Sequence, residues 1–210
     1  MIKKIVLTGG PSAGKSSSLE FVRKYYSELG YKVYIVSETA TDLMNSGIIP
    51  NQTNLSLLEF QDIIFKYQLF KENLVLNIVN NNNFLNNIII FDRGILDNKA
   101  YIKDEEFEMI LKKYNYSEND LLARYDLIIH LETGAKSNYY RIDNNSCRKE
   151  NVDLAIKLDN LTYKAWHNHN NLVKIECYDN FYNKQNEIIS VIDKELNNKK
   201  LERVILWIYL

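Results

Sequence analysis

The chain has 210 residues, of which 46% are hydrophobic and 25% are charged, and its formal net charge is −1. This length suits a single domain, and the composition is typical of a soluble globular protein. The near-neutral charge argues against nucleic-acid binding through bulk electrostatics, and no apolar run reaches membrane-spanning length. Two isolated cysteines and the lack of a recognisable secretory signal favour a cytoplasmic location.

Helix and strand signals alternate along the chain, and several strand segments are continuous apolar runs. Strands of that kind are buried on both faces, which predicts an α/β fold with a parallel sheet between layers of helices. In chain order the pattern predicts a strand at 5–7, a helix at 15–29, a strand at 32–37, a helix at 56–80, a strand at 88–91, short helices at 105–113 and 118–124, a strand at 126–131, a helix at 151–166, a strand at 172–176 and a helix at 183–197.

Residues 5–16 contain the most specific motif of the chain, G-x-x-x-x-G-K-[ST], between a predicted strand and a predicted helix. Its glycines allow successive backbone N–H groups to face phosphate oxygens, and the helix directs its positive dipole end toward the same anion. Lys15 supplies a charge for the β- and γ-phosphates, and Ser16 supplies a hydroxyl for Mg²⁺. The motif therefore predicts a site for ATP, with GTP as the alternative. Its predicted contacts are Gly9, Gly10, Pro11, Ser12, Ala13, Gly14, Lys15, Ser16 and Ser17.

Ligands of open parallel sheets bind beyond the carboxyl ends of the strands, so the residues that follow each strand are the next candidates. Asp92 follows the buried run 88–91, where an acidic residue usually joins the loop serine at Mg²⁺; a turn or helix-cap role is the alternative. Arg93 suits a substrate hydroxyl or phosphate, or else a surface ion pair. Glu38 could accept a proton from an attacking hydroxyl, or else complement a helix dipole.

Residues 134–150 form a polar segment without clear periodicity, and they carry Arg141 and Arg148. This pattern favours a lid whose arginines neutralise a transferring phosphoryl group, with Arg148 preferred. An ordinary solvated loop is the alternative.

The sequence leaves more than one role open for two further features. Gln61 and Gln68 lie seven residues apart on the predicted helix 56–80, where a solvent-facing position is favoured over contact with a substrate. Residues 199–210 form an apolar tail after a predicted domain of 1–198. That tail could pack on the domain, dock on a partner or join a homo-oligomer.

Five segments together resemble one branch of the P-loop proteins. They are Val-Leu-Thr-Gly-Gly-Pro-Ser-Ala-Gly-Lys-Ser-Ser, Ser-Glu-Thr-Ala-Thr, Phe-Asp-Arg-Gly-Ile-Leu-Asp-Asn-Lys-Ala-Tyr, Arg-Tyr-Asp-Leu-Ile-Ile-His-Leu and, after the predicted lid, Leu-Asp with Ala-Trp-His. This branch includes the nicotinamide-riboside kinase part of bacterial NAD-regulator proteins and a fly GTP-binding protein of photoreceptor-channel trafficking. Deoxynucleoside and thymidylate kinases are similar more loosely. The likeness covers roughly residues 3–197, and the branch is often labelled AAA-type ATPase.

The resemblance implies a three-layer P-loop fold with strand order 2-3-1-4-5 and a lid. It implies a Mg²⁺-dependent kinase that moves the γ-phosphoryl group of ATP or GTP to a small-molecule acceptor, a nucleoside or nucleotide. In that interpretation Lys15, Glu38, Asp92, Arg93 and Arg148 are catalytic, Arg141 contacts the nucleotide, and Ser16 and Asp92 hold the metal. The alternative is a nucleotide-dependent switch with a protein or lipid partner, although Asn98-Lys99 is not followed by the aspartate of the guanine motif.

Overall fold

A computed structural model describes residues 2–52, 54–136, 152–178 and 180–208, with side chains described up to residue 197 in the last helix. Strands and helices alternate through these residues, as the sequence predicts. The elements are β1 Ile2–Gly9, α1 Lys15–Glu28, β2 Lys32–Val36, α2 Thr39–Asn45, α3 Leu57–Asn80, β3 Asn87–Asp92, α4 Asp104–Tyr114, α5 Glu118–Leu122, β4 Leu127–Leu131, α6 Val152–Ala165, β5 Leu172–Ile175 and α7 Phe181–Ile208. Short 3-10 helices cover Ile95–Ala100 and Gly134–Lys136.

The five strands form one parallel sheet in the order β2-β3-β1-β4-β5, which confirms the predicted fold class. Leu7 of β1 is in register with Asp92 of β3, and Gly9 is in register with Leu131 of β4. The carboxyl ends of these three strands therefore meet at one edge, and the glycine-rich loop begins between the other two.

Both faces of the sheet are covered, because neighbouring residues of each strand point into different hydrophobic layers. Val6 packs in a layer with side chains of α3, α4 and the end of α6, while Ile5 and Leu7 pack against α1 and α7. The continuous apolar runs of the strands are thus explained by burial on two sides.

Helix α3 begins as predicted but buries only the start of its expected apolar face. Ser56 and Glu59 form a capping box there, with the Ser56 amide donating to Glu59 Oε2 at 2.8 Å. The three- and four-residue spacing of apolar residues predicts one buried stripe, namely Phe60, Ile63, Ile64, Tyr67, Phe70, Leu74 and Ile78. Phe60 and Ile64 at its start are buried, but Tyr67, Phe70, Leu74 and Ile78 are exposed. Further along the helix the buried face carries Phe65 and Leu69 together with polar residues. Since α3 has apolar residues on more than one face, periodicity alone could not select the buried one.

Three short elements were not predicted, and one helix is longer than predicted. Helix α2 and the 3-10 helix Ile95–Ala100 lie in segments without a predicted element, and the 3-10 helix Gly134–Lys136 lies in the polar segment 134–150. Helix α7 runs without a break through the expected boundary at 198–199, so the backbone of the proposed tail continues the helix to Ile208. None of the helices in the described part of the chain is both long and apolar enough to cross a membrane.

Candidate functional site

The glycine-rich loop has a backbone that only glycine tolerates at its first fixed position. Gly9 has φ +135°, and a Cβ there would lie 2.0 Å from the carbonyl oxygen of Leu131. Gly14, with φ +78°, caps α1, and the ring of Phe181 packs against it. These positions explain why the motif needs glycine where the loop leaves β1 and where it enters the helix.

The Lys15 ammonium lies over the loop. Its Nζ donates to the carbonyl oxygens of Gly9 and Gly10, at 3.0 and 2.7 Å. Ser16 and Ser17 follow Lys15 in the first turn of α1, and both are exposed. The half-buried charge, the helix N-terminus and the hydroxyls together form an arrangement that suits a polyphosphate.

A buried carboxylate supports the loop from behind. Asp159 of α6 is 1% exposed, and its Oδ1 accepts from the amides of Gly10 and Thr133, each at 3.0 Å. The same oxygen lies 3.1 Å from Nε2 of His130 in β4. Although burial acts to raise it, these contacts hold the pKa of Asp159 below its ordinary value.

The carbonyl oxygens along the loop are also bonded from outside. Thr133 Oγ1 donates to Pro11 at 2.6 Å, and Lys184 of α7 donates to Ala13 at 3.1 Å. Lys184 is 4% exposed, and burial lowers its pKa. These bonds hold the carbonyl groups of the loop, and Asp159 takes up the Gly10 amide, so an anion would be bound by the other amides of the loop.

Asp92 ends β3 beside the loop, as predicted. Its Oδ1 is buried and has no hydrogen-bond partner among the described residues. Burial and the carboxylate of Glu38 raise the pKa of Asp92 to about 6, against the opposing charges of Lys15 and Arg93. An unpartnered carboxylate oxygen next to a phosphate loop is a suitable ligand for a hard cation such as Mg²⁺.

Arg93 lies at the centre of the site rather than on the surface. It is 6% exposed, and its φ of 69° is unusual for a residue with a side chain. Its Nε donates to Glu38 Oε1 at 2.5 Å, and its Nη1 donates to the Gly9 carbonyl at 3.2 Å. Arg93 thus forms an ion pair, as the alternative expected, but a buried one rather than one on the surface.

Glu38 stands at the N-cap of α2 without making a side-chain capping bond. Its Oε1 accepts from Arg93, and its Oε2 accepts from Thr41 at 2.7 Å. Its carboxylate is thus held toward the site by two donors.

Asp97 and Trp166 complete this network, and the sequence analysis gave neither of them a role. Asp97 Oδ2 accepts from Thr8 at 2.6 Å and from Arg93 at 3.4 Å, while its Oδ1 accepts from the indole of Trp166 at 2.6 Å. A Cβ at Gly94 would lie 2.5 Å from the Trp166 ring. Both residues lie in segments that carry the family resemblance, Asp-Arg-Gly-Ile-Leu-Asp and Leu-Asp…Ala-Trp-His. Because they are 69 residues apart, the sequence alone does not show that they are in contact.

A pocket of about 190 Å³ is walled by α2, α3 and the 3-10 helix that follows β3. It adjoins the loop through Arg93, which lines the pocket and also bonds the Gly9 carbonyl. Its lining includes Glu38 and Arg93, so the charged network forms one of its walls. Gln61 and Gln68 also line it, each 4% exposed. The prediction that these glutamines face solvent is wrong, because α3 turns that face inward.

Two predicted site residues, Arg141 and Arg148, lie outside the described residues, as does most of the proposed lid 134–150. Their roles stay predictions. The described beginning of that segment, Gly134–Lys136, is bonded to the loop: the Gly134 amide donates to the Ser12 carbonyl at 3.3 Å.

A family model described as an AAA domain matches residues 4–177, from β1 to just after β5. The match therefore includes the glycine-rich loop, Asp92, Arg93 and the walls of the pocket. A search of curated proteins found no match.

Proposed function

This chain belongs to the AAA-domain family of P-loop proteins, which bind nucleotides, and on that premise we propose that it is a small-molecule kinase. It transfers the γ-phosphoryl group of ATP, or of GTP, to a nucleoside-like or nucleotide-like acceptor in the adjoining pocket. The donor triphosphate occupies the loop 9–17, with Lys15 on its β- and γ-phosphates.

The observation that carries this proposal is the wall shared by loop and pocket. The Arg93 guanidinium bonds the loop at the Gly9 carbonyl and bonds Glu38, a residue of the pocket, through the same side chain. Two ligands in these sites would have their reactive ends close together, which is the positioning that phosphoryl transfer requires. A nucleotide-binding module without a second substrate would have no need of such a pocket.

In the proposed reaction the acceptor hydroxyl oxygen forms a bond to the γ-phosphorus. The bond from that phosphorus to the β–γ bridging oxygen breaks, and the nucleoside diphosphate leaves. The hydroxyl proton passes to Glu38, which lines the pocket, whereas Asp92 does not line it. Arg93 orients the acceptor, and Arg141 and Arg148 remain the predicted arginines of the lid.

The residues present suit Mg²⁺, which P-loop proteins generally bind with their nucleotide. Asp92 has an unpartnered buried oxygen in the part of the chain that the structure describes, and Ser16 exposes a hydroxyl at the helix N-terminus. We assign these two residues to the cation, directly or through water. The cation supplies neutralisation of the phosphate charge.

The proposal is tested by Glu38→Gln, with Glu105→Gln on the exposed face of α4 as the matched control. Wild-type protein should consume ATP much faster once the right acceptor is added. Glu38→Gln should lower that rate by about 10²–10⁴-fold, the usual contribution of a general base, with nucleotide affinity nearly unchanged. The measurement is coupled release of nucleoside diphosphate against an acceptor panel.

A nucleotide switch would give a different result in the same assay. Hydrolysis would be slow with every small molecule, and Glu38→Gln would not change an acceptor-dependent rate, since there would be none. That outcome contradicts the kinase proposal.

A further inference from the structure

The pocket contains polar atoms that no described residue satisfies. Gln61 Oε1, Asn98 Nδ2 and Thr39 Oγ1 are all buried without a hydrogen-bond partner in the described parts of the chain, and each residue is 4% exposed. All three residues line this one pocket. Buried polar groups are normally paired, so a cluster of unpaired ones around a cavity indicates that a ligand supplies the partners.

The neighbouring glutamine shows what a purely structural role looks like. Gln68 lies two turns along α3 from Gln61, and its Nε2 donates both to the Arg93 carbonyl at 3.0 Å and to Glu72 Oε1 at 3.3 Å. Its amide thus holds the strained backbone of Arg93 in place. Gln61 makes no such bond through Oε1 with any described residue, although it is equally buried.

The two unpaired amide atoms are complementary in type. Gln61 Oε1 is an acceptor, so its partner is a donor, while Asn98 Nδ2 is a donor, so its partner is an acceptor. A ring N–H beside a ring carbonyl, the amide edge of a heterocycle, offers one of each. The remainder of the lining is mostly apolar and suits the faces of a flat ring: Ala40, Met44, Pro50, Leu57, Phe60 and Ile64.

The charges of the pocket disfavour a phosphorylated ligand. Its charged lining residues are Glu38, Asp97 and Arg93, and Arg93 already contacts both carboxylates, at 2.5 and 3.4 Å. No other lining residue among those described is a cation. A phosphate monoester carries about −1.5 to −2 charge at pH 7 and would face the two carboxylates with no unengaged cation among the described residues of the lining to receive it.

We propose that this pocket binds an unphosphorylated nucleoside and recognises the amide edge of its base through Gln61 and Asn98. This inference rests on the proposed kinase function, and it narrows the acceptor from nucleosides or nucleotides to nucleosides. The sugar hydroxyl then lies toward Glu38 and Arg93, at the wall shared with the phosphate loop. Thr39 satisfies a further polar atom of the ligand.

The test measures binding without any triphosphate, by calorimetry on the wild-type chain. The ligands are uridine and inosine, which carry an amide edge, their N-methylated forms 3-methyluridine and 1-methylinosine, and the two 5′-monophosphates. We expect at least one of the parent nucleosides to bind, and its methylated form and its monophosphate to bind about tenfold or more weakly. These ligand comparisons need no altered protein.

Variants assign the effect to residues. Gln61→Met and Asn98→Leu, which keep side-chain size but lose the amide, should each weaken the favoured nucleoside about tenfold or more. Gln52→Met, at an exposed glutamine outside the lining, should leave its affinity unchanged. All three variants should retain ATP affinity.

The inference is overturned if neither nucleoside binds, if a monophosphate binds as tightly as its nucleoside, or if methylation and both amide variants are without effect. Failure of the kinase proposal is a separate result. Nucleosides that bind through Gln61 but are never phosphorylated would refute the kinase and keep the site, whereas rapid phosphorylation of another acceptor class would do the reverse.

Discussion

The phosphate loop and the adjoining pocket are built in contrasting ways. The loop presents backbone groups, and its shape is held from behind by Asp159, Thr133 and Lys184 through bonds that are already formed. The pocket presents side chains, and Gln61 and Asn98 leave buried atoms unpaired among the residues described. A preformed backbone cradle suits a ligand common to many proteins, whereas unpaired side chains suit one particular ligand.

The largest expected effect comes from a variant that alters the loop and leaves the pocket intact. Lys15→Ala removes the ammonium over the loop and should lower triphosphate affinity by roughly 10–100-fold, the range expected for a hydrogen bond to a charged group. Binding in the pocket should be unaffected, because Lys15 does not line it. Titration of each ligand separately by calorimetry measures both effects.

The control for that variant is Lys24→Ala, at an exposed lysine of the same helix, which should behave as wild type. Undiminished triphosphate binding by Lys15→Ala would refute the assignment of the loop and with it the proposed function.

A second variant tests whether Asp159 holds the loop in its binding conformation before the triphosphate arrives. Asp159→Asn weakens the bonds to the amides of Gly10 and Thr133 and to His130, and it should lower the free energy of unfolding by about 1–3 kcal/mol. Triphosphate affinity should fall with it, since the loop loses its support. Chemical denaturation and nucleotide titration provide the two measurements.

Asp153→Asn, at an exposed position in the first turn of the same helix α6, is the matched control. It should leave triphosphate affinity unchanged and cost at most about 1 kcal/mol of stability, through the helix dipole. Loss of stability in Asp159→Asn with normal triphosphate affinity would show that the support is not needed for binding.

The smallest expected effect is on the pH dependence of stability, and here the variant is more stable than the wild type rather than less stable. The pKa of Asp92 is about 6 in the folded protein, above its ordinary value of 3.8, so ionisation disfavours the folded state. The stability that the raised pKa of Asp92 contributes is fully present below pH 3.8, and it is lost as the pH rises through about 6. Asp92→Asn should therefore raise the melting temperature by a few degrees at pH 7.5, and this advantage should shrink toward pH 4.

The same variant should lose phosphoryl transfer, since Asp92 is assigned to the cation. Combining it with Glu38→Gln sharpens the test, because the Glu38 carboxylate is one cause of the raised pKa. In that background the advantage of Asp92→Asn at pH 7.5 should be smaller. An equal advantage in both backgrounds would contradict the stated electrostatic coupling.

The contrast between the two sites also explains what sequence could predict. The loop is encoded by local residues, from Gly9 to Ser16, whose spacing fixes backbone geometry, and Asp92 follows a recognisable buried strand. The parallel sheet could also be predicted, because several strands are short continuous apolar runs in the sequence. These features require only neighbours in the chain.

The pocket, by contrast, depends on which face of α3 packs inward. The apolar stripe of α3 starts at buried Phe60 and Ile64 but continues into exposed Phe70 and Leu74, so its spacing did not show that Gln61 and Gln68 are buried. Asp97 acquires its role from Trp166, 69 residues later, and from Thr8, 89 residues earlier. Such contacts are decided by tertiary packing and leave no local pattern.

The indole of Trp166 gives the molecule a built-in optical reporter. Its N–H donates to Asp97, whose other oxygen is shared by Thr8 and Arg93, so any substrate that displaces the guanidinium changes the polarity around the ring. The chain has one other tryptophan, Trp207, near its end. Replacing Trp207 by phenylalanine would leave a single tryptophan, whose emission wavelength should follow occupancy of the pocket in real time without a label.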